Sequence, residues 1–288
     1  MTDAADKPLA WITGAAGLLG HYLIQTAPRF APGFRVRGWS RADLDILDFP
    51  AVRRAFREQR PALLLHCAAM SKTPEAQANP ALARRINVEA TAHLAELAAD
   101  VPFVFFSTDL VFDGQRGGYV ETDPVSPLNV YGETKAAAEQ IVLRHPRALI
   151  VRLSINAGIS PTGDRAFNEQ IRRAWERGET LRFFTDEFRC PIPAVVTARV
   201  IWELAQRGVT GLYHVAGSER LSRLQIGQLL AARWPHLNPR FEAMSVKDFP
   251  GGPRPPDVSM NCAKVQALLS FPLPAFSQWL REHPDEPL

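Results

Sequence analysis

A glycine-rich turn near the N-terminus limits the folds that this chain can adopt. The apolar run Leu9–Thr13 predicts a short buried strand, and Gly14, Gly17 and Gly20 follow it at intervals of three before an amphipathic helix. Glycines at such a turn allow a tight bend and let the backbone approach a pyrophosphate. The start of the helix then offers free N–H groups and a partial positive charge to that anion. The sequence therefore predicts a nucleotide-binding α/β unit.

Strand-like and helix-like segments alternate through the first half of the chain. This alternation predicts an α/β fold, a Rossmann-type doubly wound parallel sheet with helices on both faces. Further strands are predicted at residues 34–39, 44–46, 62–67, 103–106, 148–153 and 211–215, and a long helix at 80–99. We expect residues 1–155, with 188–216 returning to them, to form the NAD(P)-binding Rossmann domain. Residues 156–187 and 217–288 are expected to form a smaller C-terminal substrate-binding lobe, because proline and turn signals become frequent there.

A tyrosine and a lysine stand four residues apart downstream of the fifth predicted strand. Tyr131 and Lys135 would share one face of a helix, while Ser107 and Thr108 follow the buried run 103–106. Ligands of doubly wound sheets bind at the carboxyl ends of the strands, where these residues lie. A phenol titrates at about pH 10, and a neighbouring ammonium is expected to lower that pKa. The pattern predicts proton exchange between Tyr131 and a carbonyl or alcohol, with Thr108 holding the substrate oxygen.

Composition narrows the function classes. The net charge of +3 is not concentrated in a run, so nothing indicates a nucleic-acid surface. The three cysteines and seven histidines lack zinc-ligand spacing, so no metal site is predicted. No apolar stretch is long enough to span a membrane, and residues 1–8 lack an apolar leader, so a cytoplasmic protein is expected.

The end of the second strand bears on the choice of cofactor. NAD-selective sites place a carboxylate there to bind the ribose 2′-hydroxyl. This chain has Ser40 and Arg41 at that place, and its first carboxylate is Asp43. Because a guanidinium can pair with a 2′-phosphate, the sequence predicts that NADP(H) is preferred, with NAD(H) as an alternative.

Together these motifs resemble the extended short-chain dehydrogenase/reductases, and among them the dTDP-4-dehydrorhamnose reductases. The resemblance includes the glycine-rich turn, residues 107–114, the Tyr131/Lys135 pair, residues 211–217 and residues 254–261, and it covers almost the whole chain. It implies an NAD(P)H-dependent reductase acting on a keto group of a sugar or nucleotide sugar, and it leaves open a homodimer.

The resemblance also implies a role for individual residues. Thr108, Tyr131 and Lys135 match the catalytic residues. Residues matching the cofactor-binding positions, besides Tyr131 and Lys135, are Gly14, Ala16, Gly17, Leu18, Leu19, Ser40, Arg41, Asp45, Ile46, Cys67, Ala68, Ala69, Asn87, Ser107 and Leu153. Asn87 matches a residue that supports the proton relay. Substrate contacts are expected from Asp109, Val111, Arg189 and Arg254. His66 is instead expected to be a hydrogen-bonded core residue.

Two segments depart from the reductase pattern. Those reductases carry a Trp and a Tyr after the sixth predicted strand, whereas residues 152–158 contain no aromatic side chain, and residues 186–192 differ as well. Stacking on a nucleotide base would be weakened, so the identity of the substrate stays open. Two alternatives also stay open: a non-catalytic cofactor-binding subunit like the β-subunits of methionine adenosyltransferase, and a nucleotide-sugar epimerase. A dehydratase is disfavoured because Leu110 cannot transfer a proton.

Overall fold

The centre of the protein is a six-stranded parallel sheet in the computed structural model, which describes residues 6–288. The strands are β1 Leu9–Thr13, β2 Arg35–Trp39, β3 Leu63–His66, β4 Phe103–Thr108, β5 Ala148–Leu153, β6 Asn156–Ala157, β7 Thr180–Phe184, β8 Phe188–Arg189, β9 Ile192–Pro193, β10 Gly211–Val215, β11 Leu221–Ser222 and β12 Arg240–Met244. The order across the sheet is β2-β1-β3-β4-β5-β10, and the short strands form separate pairs. This order reverses direction next to β1, so a crevice opens at the carboxyl ends of β1 and β3. The predicted Rossmann-type fold is confirmed.

Helices cover both faces of the sheet. They are α1 Leu18–Phe30, α2 Phe49–Gln59, α3 Thr73–Ala78, α4 Pro80–Arg84, α5 Ala90–Leu97, α6 Val130–Val142, α7 Phe167–Glu176, α8 Ala194–Gln206, α9 Arg223–Arg233, α10 Ala263–Gln266 and α11 Phe276–Glu282. On one face Ile12 packs with Leu23 of α1 and Trp202 of α8. On the other face Trp11 packs with Leu94 of α5. These two apolar layers fix the edge from which the functional residues project.

The strand predicted at residues 44–46 is wrong. This segment is a turn in which the Ser40 carbonyl accepts the N–H groups of Asp43 and Leu44, at 3.2 and 3.0 Å. The Asp45 carboxylate also accepts the Leu47 N–H at 3.0 Å. An aspartate that bonds to the backbone two residues ahead favours a turn over a strand.

The helix predicted at residues 80–99 is interrupted by a π-helical turn. Residues 80–84 and 90–97 are α-helical, whereas Arg85–Glu89 form a wider turn with the buried side chain of Asn87. Such single wide turns inside α-helices often lie at functional sites. Here the turn directs Asn87 toward the loop that follows β3.

A third apolar cluster lies beside the sheet. It joins Trp175 of α7, Phe183 of β7, Ile226 of α9 and Phe276 of α11. Residues 265 and 273, by contrast, pack into the core of the sheet. The predicted lobe therefore shares its C-terminal part with the main core, and the exact division into domains stays a prediction. Among residues 6–288, no helix is long and apolar enough to cross a bilayer.

Candidate active site

A cavity of about 1110 Å³ runs along the carboxyl edge of the sheet, between the glycine-rich turn and helix α7. It is lined by all the predicted cofactor-binding residues except Asn87: Gly14, Ala16, Gly17, Leu18, Leu19, Ser40, Arg41, Asp45, Ile46, Cys67, Ala68, Ala69, Ser107, Tyr131, Lys135 and Leu153. Thr108 lines it as well. The cavity therefore brings residues from widely separated parts of the sequence together in one space.

The glycine-rich turn leaves room for an anion at the start of α1. Gly14 has φ +71°, and a Cβ added there would lie 2.7 Å from the amide nitrogen of Ala68. Gly17, the N-cap residue of α1, has no side chain to bond the first N–H groups of the helix. The backbone alone therefore forms this wall of the cavity, which suits a bound pyrophosphate.

Close packing of helix α6 sets the position of Tyr131. The helix begins at Asn129, whose side chain accepts the Gly132 N–H at 2.9 Å. A Cβ added at Gly132 would overlap the Leu110 carbonyl oxygen, so only glycine permits this contact. Thr108 caps the turn at residues 109–111 by accepting the Leu110 N–H at 3.2 Å. The contact between α6 and this turn thus brings Tyr131 to Thr108.

Lys135 lies one helical turn beyond Tyr131 and is only 2% exposed. Burial lowers the pKa of its ammonium to about 7, although the carboxylate of Glu139 opposes this change. The charge of Lys135 is therefore sensitive to small changes near neutral pH.

Burial raises the pKa of Tyr131, and the nearby Asp109 carboxylate raises it further. A hydrogen bond from Thr108 acts in the opposite direction but does not offset burial. The expectation that Lys135 would lower this pKa is therefore wrong, because desolvation of the phenolate and the charge of Asp109 both raise it. Tyr131 is consequently protonated at neutral pH and suited to act as an acid.

Asn87 lies behind the cavity wall. Its Oδ1 accepts the Met70 N–H at 2.8 Å, and its Nδ2 donates to the Met70 carbonyl at 3.2 Å and to the Thr134 hydroxyl at 2.9 Å. These bonds tie the loop after β3 to helix α6. They satisfy the amide, so the geometry gives Asn87 a bracing role, and a part in proton relay stays a prediction.

The four predicted substrate residues lie outside the cavity lining. Val111 packs in an apolar cluster with Phe112, because its side chain turns away from the cavity. Asp109 and Arg189 are buried next to each other, with Arg189 Nη1 3.7 Å from Asp109 Oδ2. Arg254 Nε lies 2.6 Å from Glu187 Oε2. Direct contact of these four side chains with a substrate stays a prediction.

Sequence reasoning missed a group of residues, most of them basic, at the α7 end of the cavity. Gln170, Arg173 and Arg177 line it from one face of the helix, a spacing that was present in the sequence. Arg223 also lines it, and its Nε lies 2.8 Å from Glu187 Oε1. This end of the cavity is therefore suited to an anionic group.

The opposite end of the cavity lies at the carboxyl end of β2. The Arg41 side chain is 82% exposed there, with its Nε 3.6 Å from Asp45 Oδ2. The Ser40 hydroxyl donates to Asp43 at 2.6 Å. Asp43 already accepts the hydroxyl and the N–H of Ser40, so it is not free to bind a ribose hydroxyl, and Arg41 supplies a cation at this mouth that can meet a phosphate.

The expected core role of His66 is confirmed. Its Nδ1 lies 2.8 Å from the Thr13 hydroxyl and its Nε2 lies 3.0 Å from the Thr91 hydroxyl. Burial lowers the pKa of His66 to about 3, so the ring is neutral. Burial also raises the pKa of the Cys67 thiol, which makes that thiol a weak nucleophile. Within residues 6–288, no group of three or more His, Cys, Asp or Glu side chains is arranged to hold a metal ion.

The sheet order, the glycine-rich turn and the Tyr131/Lys135 pair in one cavity define an extended short-chain dehydrogenase/reductase. The chain belongs to the RmlD substrate binding domain family, whose model matches residues 10–286.

Individual relatives have different described roles. The chain is 32% identical over 235 residues to the probable low-salt glycan biosynthesis reductase Agl14 of Haloferax volcanii, covering 76% of this chain and 78% of that protein. It is 28% identical to the methionine adenosyltransferase 2 subunit beta of Danio rerio, covering 94% and 88%. Among solved structures it is similar to the dTDP-4-dehydrorhamnose reductase of Bacillus anthracis in complex with NADP, with TM-score 0.86, 25% identity and coverage of 96% and 98%.

Proposed function

We propose that the protein is an NADP(H)-dependent reductase of a keto group on a sugar or nucleotide sugar. One observation carries this proposal: Thr108, Tyr131 and Lys135 line the same cavity as the glycine-rich turn. A proton donor and an anion-binding turn in one space suit a reaction between a nicotinamide nucleotide and a carbonyl.

The residues of the cavity fit a dinucleotide. The turn at Gly14 and the start of α1 would hold the pyrophosphate, and Arg41 would meet a 2′-phosphate. Lys135 would hold the nicotinamide ribose. When bound, a reduced nicotinamide supplies a hydride, with its electron pair, to the carbonyl carbon. The NADP complex of the Bacillus anthracis relative supports the choice of NADP(H).

The side chains around the reacting carbonyl divide the remaining work. Tyr131 delivers its proton to the carbonyl oxygen and then regains one from solvent. Thr108 hydrogen-bonds the oxygen as negative charge develops on it. The raised pKa of Tyr131 keeps the proton in place until that charge appears.

The α7 end of the cavity supports an anionic substrate, such as a sugar linked to a nucleoside diphosphate. Arg173, Arg177 and Arg223 line this end. Phe167 at the start of α7 is the aromatic residue of that helix that lines the cavity, and its ring packs against Phe276 at a centroid distance of 6.2 Å. Recognition would therefore depend more on the phosphates than on base stacking.

The proposal is tested by following NADPH oxidation with a panel of dTDP- and UDP-linked 4-keto sugars. We expect one NADPH consumed per carbonyl reduced, and a loss of most of the turnover in Tyr131→Phe. Conversion of a nucleotide sugar without net cofactor consumption would indicate an epimerase instead. Absence of turnover with every keto sugar would contradict the reductase.

The similarity to methionine adenosyltransferase 2 subunit beta supports a second candidate, a regulatory subunit that binds the cofactor without turnover. Such a subunit has no need of the proton donor, whereas this cavity retains Thr108, Tyr131 and Lys135. Tight binding to a methionine adenosyltransferase catalytic subunit, measured by calorimetry, together with no reductase activity, would favour this candidate.

A further inference from the structure

A buried carboxylate lies behind the proposed catalytic residues. Asp109 follows directly after β4, is 3% exposed and does not line the cavity. Its Oδ1 accepts the Thr108 hydroxyl at 3.3 Å, and its Oδ2 accepts the Ser154 hydroxyl at 2.9 Å. A buried carboxylate is costly without such partners. Because Asp109 is separated from the cavity, any effect on the reaction must pass through its neighbours.

Asp109 lies next to a network of buried charged side chains. Arg189 Nη1 lies 3.7 Å from Asp109 Oδ2, and Arg189 Nη2 lies 3.2 Å from Glu187 Oε1. Glu187 is fully buried and also binds Arg223 and Arg254, at 2.8 and 2.6 Å. Glu187 therefore binds three guanidinium groups, and one of them, that of Arg189, places its positive charge near Asp109. The 2.9 Å bond from Ser154 is shorter than the 3.3 Å bond from Thr108, so Ser154 and this charge hold Asp109 when the Thr108 bond is released.

We propose that Asp109 is a positioning residue for proton transfer, an inference that rests on the proposed reductase function. Asp109 accepts the hydrogen bond of the Thr108 hydroxyl until the developing alkoxide of the substrate accepts it instead. A threonine hydroxyl has one hydrogen, which Thr108 can donate to Asp109, to the Tyr131 oxygen or to the substrate oxygen, but to only one of them at a time. A hydrogen bond of 3.3 Å between two oxygens is long and therefore weak, so little free energy is lost when the Thr108 hydroxyl turns from Asp109 to the substrate oxygen. The developing charge on the substrate oxygen supplies the stronger acceptor.

The negative charge of Asp109 also acts on Tyr131. After burial, it is the next cause that raises the pKa of Tyr131. The other groups around Asp109 are Arg189 of β8, Arg223 of α9, the Ser154 hydroxyl and the thiol of Cys190. Burial raises the pKa of Asp109 itself, while the two arginines and Ser154 oppose that change. Asp109 therefore acts on both partners: it orients Thr108 and raises the pKa of Tyr131.

Asp109→Asn tests this role because it removes the charge and keeps the size. The first readout is steady-state NADPH oxidation. The second is ¹⁹F NMR of protein labelled with 3-fluorotyrosine, whose more acidic phenol titrates at lower pH. The chain has four tyrosines, and Tyr131→Phe identifies the signal of Tyr131. We expect a decrease in kcat of about tenfold with KM nearly unchanged, and ionisation of the Tyr131 phenol at a pH lower by about one unit.

Glu203→Gln is the matched control. Glu203 of α8 also accepts a serine hydroxyl, that of Ser270 at 2.9 Å, but it lies outside the cavity and away from the network around Asp109. Both readouts should remain at their wild-type values in this variant. A purely structural role of Asp109 would lower the melting temperature without moving the Tyr131 titration.

Ser154→Ala provides a second, smaller perturbation in case Asp109→Asn does not fold. Loss of the 2.9 Å bond from the Ser154 hydroxyl makes Asp109 easier to protonate. The fall in kcat on the acid side of the pH profile should therefore move to higher pH. Wild-type kcat and an unchanged Tyr131 titration in Asp109→Asn, or an unmoved acid limb in Ser154→Ala, would overturn the inference. A wild-type protein that reduces no keto sugar, while Asp109→Asn still moves the fluorine titration, would instead contradict the proposed function alone.

Discussion

The ammonium of Lys135 lies 3.9 Å from the ring centroid of Phe105. The ring belongs to β4, so the cation rests on the sheet itself, one helical turn from Tyr131. A cation over an aromatic face is attracted by the ring, but it has exchanged water for an apolar neighbour. This arrangement explains why burial governs the pKa of Lys135. The ionisation of Lys135 can therefore be followed through the stability of the protein as well as through its activity.

Stability of the protein without ligand should rise with pH because of Lys135. The folded-state pKa is about 7, against an ordinary value of 10.5, so the unfolded chain binds more protons between these values. Stability therefore increases as pH rises through this window. Denaturant unfolding of wild type and Lys135→Met from pH 6 to 10 checks this, and the difference between them should change by an amount on the order of 4 kcal/mol, since each pH unit between the two pKa values contributes about 1.4 kcal/mol. A difference that is constant with pH would contradict the prediction.

Replacing Tyr131 with Phe should remove most of the turnover. The expected loss in kcat is about 10²- to 10⁴-fold, because only the proton donor is removed. NADPH affinity, measured by fluorescence titration, should change little. Tyr213→Phe is the matched control, since Tyr213 is also half-buried but packs beside Lys264. Equal activity of the two variants would exclude Tyr131 as the acid.

Arg41→Ala should weaken NADPH binding by about tenfold and leave NADH binding nearly unchanged. The side chain is exposed, so the fold should tolerate its loss. Arg37→Ala is the control, because Arg37 stacks on Trp39 and does not line the cavity. Calorimetric titration with both cofactors measures the effect. Tighter binding of NADH than of NADPH by wild type would contradict the proposed selectivity.

Gly132→Ala should reduce both stability and turnover. The new Cβ would overlap the Leu110 carbonyl and push α6 away from the turn that follows Thr108. We expect a loss of about 2 kcal/mol in the free energy of unfolding, as for other overpacked sites. Gly33→Ala is the control because no atom lies within 4 Å of a Cβ there. Thermal unfolding and kcat that matched the control would show that the close contact is unimportant.

The sequence is sufficient to predict the main sheet and the residues that line the cavity from the glycine-rich turn to Tyr131 and Lys135. Buried parallel strands are short apolar runs, and the turn at Gly14 marks the cofactor end of the sheet. The prediction of a strand at residues 44–46 is wrong because the Asp45 carboxylate accepts the Leu47 N–H and stabilises a turn. Val111 and Arg189 were placed by motif alone, and a motif does not fix whether a side chain turns toward a cavity or away from it.

The arginines at the α7 end of the cavity could not be predicted to share a site from the sequence. Arg173 and Arg223 meet at one cavity although fifty residues separate them. Neither belongs to a local motif, and exposed arginines on a helix are common. Only the packing of α7 and α9 around Trp175 reveals that they share one space.

The π-helical turn at Arg85–Glu89 makes the cavity wall depend on the length of one helix. A wide turn accommodates a residue that a regular α-helix would not, so deleting one residue there would restore even winding. Asn87 lies within this turn, so regular winding would move its amide away from Met70 and Thr134. Relatives of different helix length at this point would thus join the loop after β3 to α6 by other means, and an insertion or deletion there is a direct route to a cavity of a different shape.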